Sequence, residues 1–148
     1  MITVTKIFHF EMAHALNNYE GDCRHIHGHS YELHVTVTAA VSGDNYISPP
    51  GVLIDFKNLK KLVNESIVKK FDHRIILSRS YAVKNPSIGH LENVFLIEAE
   101  PSAENLLIYS KSAISEALPA GIRLYALRLF ETKGSYAEWI ANPSDLII

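Results

Sequence analysis

Hydrophobic and polar residues alternate from Ile2 to about Leu16. Ile2, Val4, Phe8, Phe10 and Met12 fall on one parity, and Thr3, Thr5, His9 and Glu11 mainly on the other, the pattern of a long half-buried strand. NNYEGD (17–22) is turn-rich and reads as a loop. Alternation then resumes, with Tyr31, Leu33, Val35, Val37 and Ala39 against Ser30, Glu32, His34, Thr36 and Thr38. This second strand is expected to end near Ser42-Gly43-Asp44-Asn45. SPPG (48–51) marks a connection, because two prolines remove backbone donors and fix φ.

The period changes after VLIDF. Leu59, Leu62, Val63, Ile67 and Phe71 recur at helical spacing with lysines between them, and Asp55 is placed to cap the helix. Residues 78–101 are read as a loop holding one short strand. Ser102 caps a second helix running to about Leu118, with Leu106, Tyr109, Ala113, Ile114 and Ala117 as its inward stripe, and Pro119-Ala120-Gly121 stops it. Two strands follow, IRLYALRLFET and YAEWIA, joined by a tight turn at Lys133-Gly134-Ser135. Two strands, two helices and two strands predict an α+β fold: a four-stranded antiparallel sheet with two helices packed on one face.

Length and charge narrow the class. The 148 residues suit one domain, 1–148. A composition 47% hydrophobic and 20% charged argues against disorder or a fibre. A net charge of -2 provides no basic field for nucleic acid. MITVTKIFHF has no charged leader followed by an apolar stretch, and no apolar run reaches the roughly 18 residues of a membrane span, so a cytoplasmic protein is expected. The single cysteine, Cys23, excludes an intrachain disulfide and leaves a small buried hydrophobe or a reactive thiol.

Strand parity then sorts the histidines. His14 shares the parity of Phe8, Phe10 and Met12, and His27 and His29 share that of Leu33, Val35 and Val37, whereas His9 and His34 fall on the opposite faces. If the two strands form a hairpin, His14, His27 and His29 converge beside the core. Three such imidazoles are costly to bury unless each finds a partner, and zinc held by three neutral histidines with a fourth position open resolves this. Gly28 would allow close backbone approach between the two ligands. His25 shares the parity of His27 and is a candidate fourth ligand. Cys23, four residues before His27, is either a further ligand closing a structural site or a thiolate base beside the metal. Asp72 and His73 are adjacent after the first helix, as a carboxylate-imidazole relay or a surface pair. Glu131 shares the parity of Leu127 and Leu129, and its carboxylate suits either an ion pair or the bidentate edge of a heterocycle.

The ordered segments FEMAHAL, C-x-x-x-HGHSY, IDFKNLK, FDH, PSAEN and FETKGSYAEW together resemble the 6-pyruvoyl-tetrahydropterin synthase family, including its 6-carboxytetrahydropterin synthase branch, from about Phe8 to Trp139. The resemblance implies the tunnelling fold (T-fold) and homo-oligomers, trimers or hexamers, with sites at subunit interfaces. It implies Zn2+ on His14, His27 and His29, Cys23 as catalytic base, Asp72 and His73 as the relay setting its protonation, and Glu131, helped by Thr132, as anchor for the pterin. The implied substrate is 7,8-dihydroneopterin triphosphate. The carboxy branch releases triphosphate and acetaldehyde on the route to queuosine and other 7-deazaguanines, and the pyruvoyl branch leads to biopterin. The three-residue gap between Cys23 and His27 resembles the carboxy branch. Two features depart from the family pattern: Ser102 stands where Thr is usual, and the stretch from Tyr81 to Ala99 is longer than in compact relatives. Readings of other classes are a non-catalytic zinc-containing pterin- or purine-binding module and a zinc-stabilised protein with Cys23 as fourth ligand.

Overall fold

A computed structural model describes residues 1–39 and 46–146. The predicted end of the second strand, at 42–45, lies outside them. The alternating N-terminal segments form β1 (Thr3–His14) and β2 (His27–Ala39), which pair antiparallel along their whole length. Phe8, Phe10 and Met12 of β1 and Tyr31, Leu33, Val35 and Val37 of β2 are buried, as their parity requires.

The lysine-rich helix runs from α1 (Phe56–Val63) through a π-helical turn, Asn64–Val68, into a last turn, α2 (Lys69–Phe71). The Asp55 carboxylate caps it, accepting the Lys57 N–H at 2.7 Å. Leu59, Val63, Ile67 and Phe71 are all fully buried at strict four-residue spacing. An α-helix turns every 3.6 residues, so such a stripe drifts around the axis, and the wider π-turn cancels part of that drift.

β3 (Arg74–Ser78), α3 (Arg79–Lys84), α4 (Pro86–Gly89) and β4 (Val94–Ile97) follow. Next come α5 (Ala103–Ala117), β5 (Ile122–Thr132) and β6 (Ser135–Ile140). The sheet has six strands in the order β4-β3-β1-β2-β5-β6. The predicted four antiparallel strands form one contiguous part, and β3 and β4 extend it in parallel beyond β1. The expectation of four strands and two helices therefore falls short. Ile76, Leu77 and Ser78 are consecutively buried, so β3 is covered on both faces and carries no alternation to read. Segment 78–101 likewise holds two short helices besides its strand.

α1, α2 and α5 cover one face of the sheet in a single core with the inward residues of β1, β2 and β5. Ser102 caps α5, accepting the Asn105 N–H at 3.3 Å. Leu107 and Ser110 join Leu106 and Ile114 in its buried stripe, whereas Ala117, expected in the stripe, is exposed, and Leu118 after it packs on the core instead. Leu77, Tyr81 and Ala15 form a smaller second cluster, braced by Ile88 and Leu96, that seats α3 and α4 beside the end of β1. Among the described residues no helix is long and apolar enough to cross a membrane.

Candidate metal centre

The β1–β2 register sets His14 directly opposite His27 and Met12 opposite His29. Because all three histidines point to the covered face, one ring nitrogen from each lies within 4.8 Å of the others. An added Cβ on Gly28 would come within 3.3 Å of the Met12 carbonyl oxygen, so the glycine lets the two backbones close up between His27 and His29.

Hydrogen bonds fix the direction of the nitrogens. His14 Nδ1 lies 2.7 Å from the Pro101 carbonyl and His27 Nδ1 lies 2.7 Å from the His25 carbonyl. A carbonyl only accepts, so each Nδ1 carries the proton and each neutral ring keeps its lone pair on Nε2. Those two Nε2 atoms face each other at 3.1 Å. Two lone pairs do not attract at that distance, so a cation or a shared proton is needed between them. His29 Nε2 is buried with no hydrogen-bond partner, and leaving it so costs about 1–3 kcal/mol. The three nitrogens fit a zinc ion, which takes neutral imidazole nitrogens and tolerates an open fourth position.

Glu131 completes the surroundings. Glu131 continues the inward parity of Leu127 and Leu129 at the end of β5, beside a register shift against β6 between Phe130 and Thr132. Its carboxylate oxygens lie 3.5 Å from His29 Nε2 and 3.8 Å from His14 Nε2. The Tyr31 hydroxyl lies 3.4 Å from Glu131 Oε2, and burial, followed by the Glu131 charge, pushes its pKa far up, so it stays a donor. Burial likewise pushes the His14 imidazole below its usual pKa, with the two neighbouring histidines adding to the effect against the Pro101 hydrogen bond and Glu131.

The lowered His14 value has a sign that can be measured. An unfolded histidine takes its proton near pH 6.5 and the folded one only at lower pH. The unfolded state thus binds more protons below that point, and metal-free protein should lose stability as pH falls through it. Thermal melting in chelator from about pH 7.5 to 5 should show this decline. The decline should flatten in His14→Gln, and equal slopes in the two proteins would contradict the assignment.

Cys23 sits in a one-turn 3-10 helix, Asp22–Arg24, and its carbonyl accepts the Leu16 N–H at 2.8 Å. With His14, Tyr19, Ser102, Glu104, Glu131 and Tyr136 it lines an open cavity of about 720 Å3 alongside β6. His25 Nε2 accepts from Arg24 Nε at 3.2 Å and stands outside the nitrogen cluster. Thr132 is exposed, and its hydroxyl accepts the Gly134 N–H at 3.3 Å within the hairpin turn.

Asp72 and His73 stand elsewhere. Asp72 Oδ1 accepts the Glu11 N–H at 2.9 Å and lies 3.0 Å from His73 Nδ1, while the His73 N–H donates to the Glu11 carbonyl at 2.7 Å. His73 has φ of 59°, a left-handed conformation that lets the chain reverse from α2 into β3. It faces a second cavity, of about 350 Å3, with Glu11, His29, Ser30, Arg74 and Asn93. Within one chain, then, the dyad does not share the cysteine's cavity. His14 lines one cavity and His29 the other. His9 and His34 lie on the outer face around Glu32, whose carboxyl is held below its usual pKa chiefly by the His34 hydrogen bond.

These features define an α+β sheet protein with a three-imidazole metal-binding cluster at the end of a β-hairpin. The chain belongs to the 6-pyruvoyl tetrahydropterin synthase family of lyase-type enzymes, whose profile matches residues 3–141. It is 30% identical to the 6-carboxy-5,6,7,8-tetrahydropterin synthase of Haemophilus influenzae, over 94% of this chain and 99% of that one. It is 28% identical to the Rickettsia typhi protein of the same name, over 93% and 99%. The solved structure of Caenorhabditis elegans 6-pyruvoyl tetrahydropterin synthase shares the fold, with a TM-score of 0.66 and 19% identity over 95% of this chain and 96% of that one. The expected T-fold is thereby established, with a larger sheet than the sequence predicted.

Proposed function

We propose that the protein is a zinc-dependent 6-carboxy-5,6,7,8-tetrahydropterin synthase acting in the cytoplasm on 7,8-dihydroneopterin triphosphate. The observation that carries this reading is the convergence of one ring nitrogen from each of three histidines, with His14 lining a cavity that also holds Cys23 and Glu131. The names of the relatives and the three-residue gap between Cys23 and His27 favour the carboxy branch over the pyruvoyl branch.

His14, His27 and His29 would hold the zinc, which when bound supplies Lewis acidity toward the oxygens of the substrate side chain and acidifies the neighbouring C–H bonds. Glu131 accepts hydrogen bonds from the amino-pyrimidinone edge of the pterin and sets the ring's depth in the cavity. Tyr31, donating to Glu131, keeps that carboxylate oriented. Cys23, at the cavity wall, removes the carbon-bound proton as thiolate. Asp72 orients His73 to carry protons on the far side of the substrate.

That last role calls for a second copy of the chain, since His73 and Cys23 open into different cavities. β6 is an edge strand with unpaired backbone groups, and its residues 135–138 line the cysteine's cavity. Pairing along this edge would cover it and add the wall that one chain lacks. This pairing supports the homotrimer or hexamer with shared sites that the resemblance implies.

Dialysis against a chelator should abolish turnover of dihydroneopterin triphosphate, and one equivalent of zinc per chain should restore it. Full turnover by the metal-free protein would remove zinc from the reading.

A further inference from the structure

The loop that carries Cys23 is tied down from outside by groups remote in sequence. Leu16 and Cys23 close its neck through one backbone hydrogen bond of 2.8 Å. Just beyond Leu16, the Asn17 N–H donates to Glu100 Oε2 at 2.8 Å. The other Glu100 oxygen accepts the Ser80 hydroxyl at 3.3 Å, and Asn17 Nδ2 donates to that same hydroxyl oxygen at 3.2 Å. Asn18, with φ of 55°, takes a hydrogen bond on Oδ1 from Lys84 Nζ at 3.1 Å. Ser80 and Lys84 belong to α3, part of the helical segment that lengthens residues 78–101.

Glu100 also adjoins the metal cluster in sequence, because the next carbonyl, that of Pro101, fixes the His14 ring. Asn105 Nδ2 donates to the Glu100 carbonyl at 2.9 Å and ties this residue to the first turn of α5. Its backbone is thus held in one frame with His14, and its carboxylate reaches across to the loop that ends at Cys23.

We propose that Glu100, seated on Ser80, is a positioning residue that sets Cys23 relative to the metal cluster. The inference rests on Cys23 being the base, as assigned above. The carboxylate suits the task because its two oxygens accept from two donors on different segments, and charge-assisted hydrogen bonds are short and directional. Releasing the loop would displace the thiol without touching a ligand nitrogen, and a misplacement of about 1 Å can cost about 100-fold in rate.

Glu100→Ala should therefore lower kcat about 10- to 100-fold with KM little changed and full zinc content. Cys23 in the same variant should react several-fold faster with iodoacetamide, because its turn is no longer held. Glu100→Gln keeps an oxygen for the Asn17 N–H and should recover most of the loss. Ser80→Ala should shift both readouts in the same direction by less, and it serves if Glu100→Ala does not fold. Alkylation needs no turnover, so the clamp remains testable even if wild-type protein consumes no dihydroneopterin triphosphate, a result that would count against the proposed function instead. Wild-type alkylation rates in Glu100→Ala and Ser80→Ala would overturn the proposal. So would zinc loss parallel to the loss of kcat, which would place the effect at His14.

Discussion

Cys23→Ala should turn over dihydroneopterin triphosphate about 1,000-fold more slowly than wild-type protein while binding a full equivalent of zinc. General-base removal of a proton is typically worth about 100- to 10,000-fold, so losing the thiolate should cost within that range. Zinc should stay, because the nitrogen cluster is complete without sulfur: two rings are fixed by backbone carbonyls, and the third points inward with its Nε2 unpartnered. The measurement is metal content and single-turnover rate on the same preparation. Zinc lost from Cys23→Ala would instead make the thiol a fourth ligand of a closed structural site.

His27→Ala should lose both. His27 stands opposite His14 in the register, and its Nε2 is the near neighbour of His14 Nε2 at 3.1 Å. Removing one of three ligands should weaken zinc binding by more than the roughly 10- to 100-fold seen when only an outer partner of a ligand is lost. Turnover should fall with occupancy and recover in part at high zinc. The fold should survive, since His27 lies at the strand end and the core around Leu33, Val35 and Val37 is untouched. A variant that keeps stoichiometric zinc and loses only turnover would contradict the assignment of this residue as a ligand.

The contrast between the two variants separates the chemical roles that the tract from Cys23 to Tyr31 combines. How far those roles could be read from the chain depended on local periodicity. Parity brought His14, His27 and His29 to one face because β1 and β2 are long, half-buried strands whose alternation persists to their ends. Asp55 and Ser102 were legible as helix caps because capping is decided within three residues.

What lay hidden depended on contacts distant in sequence. β3 has no alternation, being buried on both faces, so it passed unread, and with it the place of the short strand expected in 78–101, which joins the sheet only through β3. Glu131 was legible on the inward parity of Leu127 and Leu129, whereas its proximity to His14 and His29 follows from the pairing of β5 with β2, distant in sequence. Asp72 and His73 were legible as a pair, whereas their separation from Cys23 follows from the left-handed turn at His73 and its bond to Glu11. Glu100 escaped notice because its partner, Asn17, is 83 positions away. Its nearest sequence signal was the acidic residue before PSAEN.

The most direct test of the central claim is product analysis after purified zinc-loaded protein consumes dihydroneopterin triphosphate, with acetaldehyde, triphosphate and the pterin quantified together. One acetaldehyde and one triphosphate for each 6-carboxy-5,6,7,8-tetrahydropterin formed is the predicted result. A pyruvoyl product without acetaldehyde, or no consumption of substrate, would contradict it.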